Sequence, residues 1–308
     1  MGKVLRIGTR ESQLARWQAT HVRDLLKAAG VASEIVGITS EGDLDLKTPL
    51  YQLGVQGVFT RNLDAALLAG KIDLAVHSMK DVPTVMARGI AQAAVLARGP
   101  VKDLLVWRQS EAFLEDTASE AVVATGSVRR KAQWLRRYPR HRVEGLRGNV
   151  NTRLKKLRDS DWAGAIFAAA GLERIGLRPE NARELDWMLP SPAQGAILVA
   201  CREGDAGALD AAGPLNDPVT ALCTALERDF LSTLLGGCST PISAYARVRD
   251  GNVCFRGNIA SPDGARLADI TREAPLEAAR TLGADAAREL LSGGASDILQ
   301  LIKSSPAR

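Results

Sequence analysis

Three histidines and four cysteines among 308 residues are few from which to build a metal centre. The cysteines (Cys201, Cys223, Cys238 and Cys254) have no Cys-x-x-Cys spacing, which argues against both a disulfide framework and a zinc site. Aromatic residues are also sparse: five Trp, three Tyr and five Phe are too scattered to form stacking platforms, so a nucleic-acid partner is not expected. No apolar run approaches the roughly 20 residues that span a bilayer. The opening MGKVLRIGTRESQLARWQ lacks the apolar stretch of a signal peptide, so the expectation is a cytoplasmic protein with no membrane partner. Acidic residues are missing locally: between Arg129 and Arg158, nine Arg and three Lys stand against Glu144 alone.

What is present is ordinary globular material, 46% hydrophobic and 24% charged, long enough for two or three domains with separate cores. A net charge of +5 suggests an anionic partner. Ten of the 40 basic residues are Lys and thirty are Arg, a bias that base composition of the genome explains as readily as function.

In order along the chain, Val4 to Gly8 reads as a strand. Leu14, Trp17, Val22, Leu25 and Leu26 then recur at helical spacing up to Gly30. A second strand runs from Glu34 to Thr39, and EGDLDLKTPLYQLGVQGVF is loop-like and long enough for a flap. A helix through Leu63 and Leu67, a strand from Ile72 to Val76 and another from Ala91 to Leu96 complete a βα alternation that predicts a largely parallel sheet. ARGPVKDLLVW reads as a crossover into a second unit of the same architecture, with strands at Ala121 to Thr125, near Val143 and at Ala163 to Ala168. Its helices begin at Ser127 and Asn149. AILVAC is a strand that either sheet could take. From Val219 a helix to Leu235, three strand-like runs and a closing helix from Leu276 to Leu291 predict a small α+β domain.

Three places suggest chemistry. In IDLAVHSMKDVP, Asp81 falls just beyond a strand's carboxyl end beside Ser78 and Lys80, the edge at which open α/β sheets bind ligands. On position alone, a capping Ser78 and a solvated Asp81 are the plainer reading, because caps and turns use Ser and Asp routinely. In TGSVRRKAQ and RGNVNTR, two helix starts carry Arg129, Arg130, Arg147 and Arg153, so unpaired N–H groups and guanidiniums would converge on carboxylates. A solvated basic face is the plainer alternative. Cys238, in LLGGCSTPI, follows two glycines on a loop, whereas Cys201, Cys223 and Cys254 lie in strand or helix patterns that bury a thiol.

RIGTRESQLA, AVHSMKDVP, TGSVRR, LRGNVNTRL, AAGLERIGL, AQGA and GGCSTPI, in this order across nearly the whole chain, resemble the porphobilinogen deaminase (hydroxymethylbilane synthase) family. The resemblance implies an α/β fold of two periplasmic-binding-protein-like βα domains plus a small C-terminal α+β domain. Residues 1–96 with 196–214 would form the first, 100–192 the second and 217–308 the third. It implies that Asp81 is catalytic and that Cys238 holds a covalent dipyrromethane cofactor through a thioether. It also implies that Arg10, Ser12, Lys80, Thr125, Ser127, Arg129, Arg130, Arg147, Gly148, Asn149, Arg153, Arg174 and Gln194 bind substrate or cofactor, with no metal. The implied activity is the condensation of four porphobilinogen molecules to hydroxymethylbilane with loss of ammonia, by a monomer. One region departs from the pattern: QLGVQGVF stands where relatives commonly carry a Lys-containing loop, so Gln52 and Gln56 replace two lysines and Val55 a glycine. ARGPVKD likewise replaces an acidic string. An impaired family member that only binds anions is therefore the alternative.

Overall fold

The structure, a computed structural model, describes residues 3–39, 60–116, 118–234 and 240–304. The flap-like segment containing Gln52, Val55 and Gln56 lies outside the described residues, as does Cys238. The described chain gathers into two compact units, the first made of 3–39, 60–99 and 194–222, the second of 100–193 and the residues from 223 onward.

The first unit opens with β1 (Leu5–Thr9), α1 (Gln13–Ala28), β2 (Ser33–Gly37), α2 (Arg61–Leu68), β3 (Leu74–Ser78) and β4 (Ile90–Val95). The second contributes β5 (Asp103–Trp107), β6 (Val122–Ala124), α3 (Val128–Arg137), β7 (Arg142–Glu144), α4 (Val150–Arg158), β8 (Gly164–Ala168), α5 (Ala169–Glu173) and β9 (Ala182–Glu184). The chain then returns to the first unit as β10 (Ile197–Arg202) and α6 (Ala206–Ala212), followed by the long helix α7 (Pro218–Thr233). A meander of β11 (Ile242–Arg249), β12 (Asn252–Ala260) and β13 (Leu267–Pro275) precedes α8 (Leu282–Leu290) and α9 (Ser296–Ser304).

Both five-stranded sheets have one plan. Their orders are β2-β1-β3-β10-β4 and β7-β6-β8-β5-β9. In each, the first three strands are parallel and the fourth runs against both of its neighbours. The reversed strand is in each case the one by which the chain enters or re-enters the unit, β5 after the first crossing and β10 after the second. The expectation of a largely parallel sheet is thereby corrected to a mixed one, and AILVAC is assigned to the first sheet. The last five residues of ARGPVKDLLVW are strand β5 rather than connection, since Leu104 and Leu105 are both fully buried, one against each covering layer.

Helices cover both faces of the first sheet. Ile7, Leu74, Val76 and Val199 pack with Val22 and Leu26 of α1 on one side, while Ile72 and Ala75 pack with Leu63 and Leu67 of α2 on the other. At about 25 cal/mol per Å² of apolar surface removed from water, such layers are the main stabilising contribution and fix where the strand ends point. The expected closing helix from Leu276 to Leu291 is shorter than predicted. Leu276–Thr281 form a 3-10 turn, and the backbone breaks at Gly293 and Gly294 before α9, a helix the periodicity did not mark. Of the cysteines, Cys201 and Cys223 are buried and Cys254 is half-buried. Among the described residues no helix is long and apolar enough to cross a membrane.

Candidate functional site

In the first unit the candidate residues are set by the carboxyl ends of β1 and β3. β3 runs directly into a single 3-10 turn, Met79–Asp81, whose Met79 is buried and whose Lys80 and Asp81 are half-buried. The turn is anchored by the Met79 N–H donating to the Ala196 carbonyl at 3.0 Å. Ser78 does not cap it. Its hydroxyl instead pairs with the Gln18 side chain of α1, whose Nε2 donates to Ser78 Oγ at 2.9 Å. Lys80 Nζ donates to Gln194 Oε1 at 3.2 Å, and Arg98 Nε donates to the Gln194 carbonyl at 3.0 Å. Arg10 follows β1, and Ser12 caps α1 by accepting the Ala15 N–H. His77 of β3 is buried: burial, and secondarily the Arg10 charge, push its imidazole down to about 4, so it is neutral at pH 7.

In the second unit two helix starts are built as the sequence predicts. Ser127 accepts the Arg130 N–H, and Thr125 Oγ1 accepts the Ser127 N–H at 3.3 Å. Asn149 Oδ1 accepts both the Thr152 N–H at 2.9 Å and its hydroxyl. A Cβ on Gly126 would lie 2.5 Å from the Leu146 carbonyl oxygen, so only glycine lets these two loops come together. Gly148 takes a φ of +113°, a left-handed value that carries the chain into the Asn149 cap. Arg147 and Arg153 flank that start, their Nε atoms closed off from solvent. Arg174 follows α5, and burial lowers its guanidinium to about 10.

Arg129 and Arg130 have a common partner within the protein, Asp103. They converge, but inward: Arg129 Nη2 donates to Asp103 Oδ2 at 2.7 Å, and Arg130 Nη2 and Nε donate to Oδ1 at 2.8 and 3.1 Å. Their remaining Nη1 groups donate to the Leu189 and Ile166 carbonyls. Asp103 is 0% exposed and the two arginines 4% and 5%, so the three side chains form a buried charge triad. The triad still leaves one net positive charge under the start of α3. Asp103 went unnoticed in the sequence; the one signal was a lone acid heading an apolar run, DLLVW. His77 and Glu227, both buried, gave no sequence signal of their own.

Residues 5–210 match the family model described as porphobilinogen deaminase, dipyromethane cofactor binding domain, and residues 221–292 match porphobilinogen deaminase, C-terminal domain. The chain is similar to a chloroplastic porphobilinogen deaminase of Oryza sativa subsp. japonica, 44% identical over 93% of this chain and 83% of that one. It is also similar to a porphobilinogen deaminase of Bordetella parapertussis, 41% identical over 98% of both. Among solved structures, an ancestral cationic amino acid solute binding protein aligns with 69% of this chain and 87% of its own at 14% identity and a TM-score of 0.45.

Proposed function

The chain belongs to the porphobilinogen deaminase family, and on that premise we propose that it condenses four porphobilinogen molecules head to tail and releases hydroxymethylbilane, a step of tetrapyrrole biosynthesis. The observation that carries the reading is Asp81 on a short, anchored turn at the end of β3, with Lys80 of the same turn tied to Gln194.

Each condensation breaks the carbon–nitrogen bond of an aminomethyl group, releases ammonia, forms a carbon–carbon bond and frees one proton from the attacking pyrrole. Asp81 acts on charge at that centre. Its carboxylate faces the pyrrole N–H, stabilises the cation left when ammonia departs, and accepts or returns the proton. A fixed carboxylate is suited to this because it needs no reorganisation as the charge develops. Hydrolysis then releases the product: the bond between the methylene of the first ring incorporated and its acceptor pyrrole carbon breaks, water supplies the hydroxyl on that methylene, and a proton returns to the acceptor carbon.

Every pyrrole carries an acetate and a propionate, so the substrate and growing chain are polyanions. Arg10 and Ser12 in the first unit, and the capped starts at Ser127 and Asn149 with Arg147, Arg153 and Arg174 in the second, suit such groups. Gln194 and Lys80 support them in the first unit and Thr125 and Gly148 in the second, where Arg129 and Arg130, held by Asp103, add positive charge at the start of α3. Each of these groups of donors suits carboxylates, of which a dipyrromethane has four; Cys238 is the residue we assign to its attachment. When bound, that group supplies the first electron-rich pyrrole carbon. The reading divides the chain into 1–96 with 196–214 for catalysis, 100–192 for carboxylate binding and 217–308 for cofactor attachment, in a cytoplasmic monomer. No observation favours an inactive anion-binding relative.

Two measurements test this. The intact mass of the purified protein should exceed its sequence mass by a dipyrromethane, and an aldehyde reagent for pyrroles should colour it. Asp81→Asn should lower porphobilinogen consumption by roughly 10²–10⁴ with an unchanged melting temperature. A variant as fast as the parent would remove Asp81 from the mechanism.

A further inference from the structure

Ala193 is one of two non-glycine residues with positive φ among the described residues, at +59°. The other, Asp250 at +50°, sits with Gly251 in the β11–β12 hairpin turn, where such a value is ordinary. Ala193 has no such reason. It is fully buried, followed by buried Gln194 and by Gly195 at a φ of +87°, so a tight left-handed turn is held in the interior against the preference of a residue with a Cβ.

What holds it is Glu227. This residue of α7 is 0% exposed, and its two carboxyl oxygens each take a backbone donor: the Ala193 N–H at 2.6 Å and the Ala246 N–H of β11 at 2.7 Å. The chain passes from the second unit to the first between Ala193 and Gln194. On the far side of that peptide bond, Gln194 has its carbonyl held by Arg98 and its side chain receiving Lys80, while Gly195 accepts the Gly99 N–H at 3.0 Å. Lys80 and Asp81 share one three-residue turn, too short to move one without the other.

We propose that Glu227 is a positioning residue for the Lys80–Asp81 turn. Its carboxyl group fixes the left-handed conformation at Ala193, that conformation aims the Gln194 side chain, and Gln194 receives Lys80 beside the catalytic carboxylate. The inference rests on the role of Asp81 in the reading above. It assigns Glu227 no contact with substrate.

Glu227→Gln tests it, because the amide keeps the shape but turns one of its two acceptors into a donor facing a backbone N–H. Turnover of porphobilinogen should fall about tenfold, the loss of one hydrogen bond to a charged group. Gln194→Ala should fall similarly, and the double variant should fall no more than about twofold further, since both cut one chain of contacts. Ala193→Gly placed in Glu227→Gln should restore most of the loss, because glycine takes the turn without strain. Backbone hydrogen exchange at Met79 to Val82 should quicken in Glu227→Gln and in Gln194→Ala, a readout that does not depend on activity. Wild-type turnover in Glu227→Gln, independent multiplication of the two losses, or a lowered melting temperature with unchanged exchange at Met79 to Val82 would each overturn the proposal. If the parent protein consumes no porphobilinogen, the functional reading has failed, and the exchange measurement still decides whether Glu227 positions the turn. Should Glu227→Gln fail to fold, Glu227→Asp, one methylene shorter and unable to span both donors, is measured in the same way.

Discussion

Asp103→Asn separates a structural charge triad from a surface ion pair. Asp103 accepts three hydrogen bonds from Arg129 and Arg130, and all three side chains are almost fully buried. Asparagine has nearly the same volume, so no cavity forms. What changes is that two guanidiniums lose their counter-charge and one of them meets an amide donor. Removing one partner of a buried ion pair costs about 3–5 kcal/mol, because the charge left behind is neither solvated nor paired. A unit of this size loses roughly 2–4 °C of melting temperature per kcal/mol, so scanning calorimetry should show the transition of the second unit lowered by about 6–20 °C. The drop should persist at about 1 M salt, since buried pairs are poorly screened, whereas disrupting the exposed Lys102–Glu184 pair should matter little and less still in salt. A fall of less than about 2 °C, or one abolished by salt, would refute the reasoning.

Two further predictions follow from named residues. His77 has its imidazole held down to about 4 by burial and by Arg10, against an ordinary 6.5, so the folded state binds fewer protons than the unfolded state between those values. Stability is therefore full above about pH 6.5 and declines as pH falls toward 4, by up to about 3 kcal/mol in total; urea midpoints at pH 7 and 5 should differ in the parent and converge in His77→Gln. Asp73 has the same sense at lower pH. Burial alone would raise it, but Arg6 and Lys3 hold it well below the usual carboxylate range, so its contribution is lost only in stronger acid. Gly148→Ala must place a Cβ 2.7 Å from Thr152 Cγ2 at a φ of +113°, which should cost about 1–3 kcal/mol and, by shifting the Asn149 cap, raise KM for porphobilinogen more than it lowers kcat.

The features legible in the sequence are those set over three or four residues. Ser127 and Asn149 cap their helices as expected, because a cap needs only a side-chain oxygen and an N–H three residues on. The apolar run before Asp81 forms a buried strand, and the turn after it carries the acid, because burial and polarity change abruptly there. Features set by distant partners were not legible. The strand character of Asp103–Trp107 and the reversal of β10 depend on which neighbours the chain meets after each crossing. Arg129 and Arg130 turn inward because a buried carboxylate 26 and 27 residues away outcompetes water for them. Lys80 meets Gln194 across 114 residues for a similar reason, a buried amide that must find a donor. Local hydrogen bonding thus wrote the helix starts and the strand ends into the sequence, whereas the partners of the buried charges were chosen only when the sheets brought them out of water.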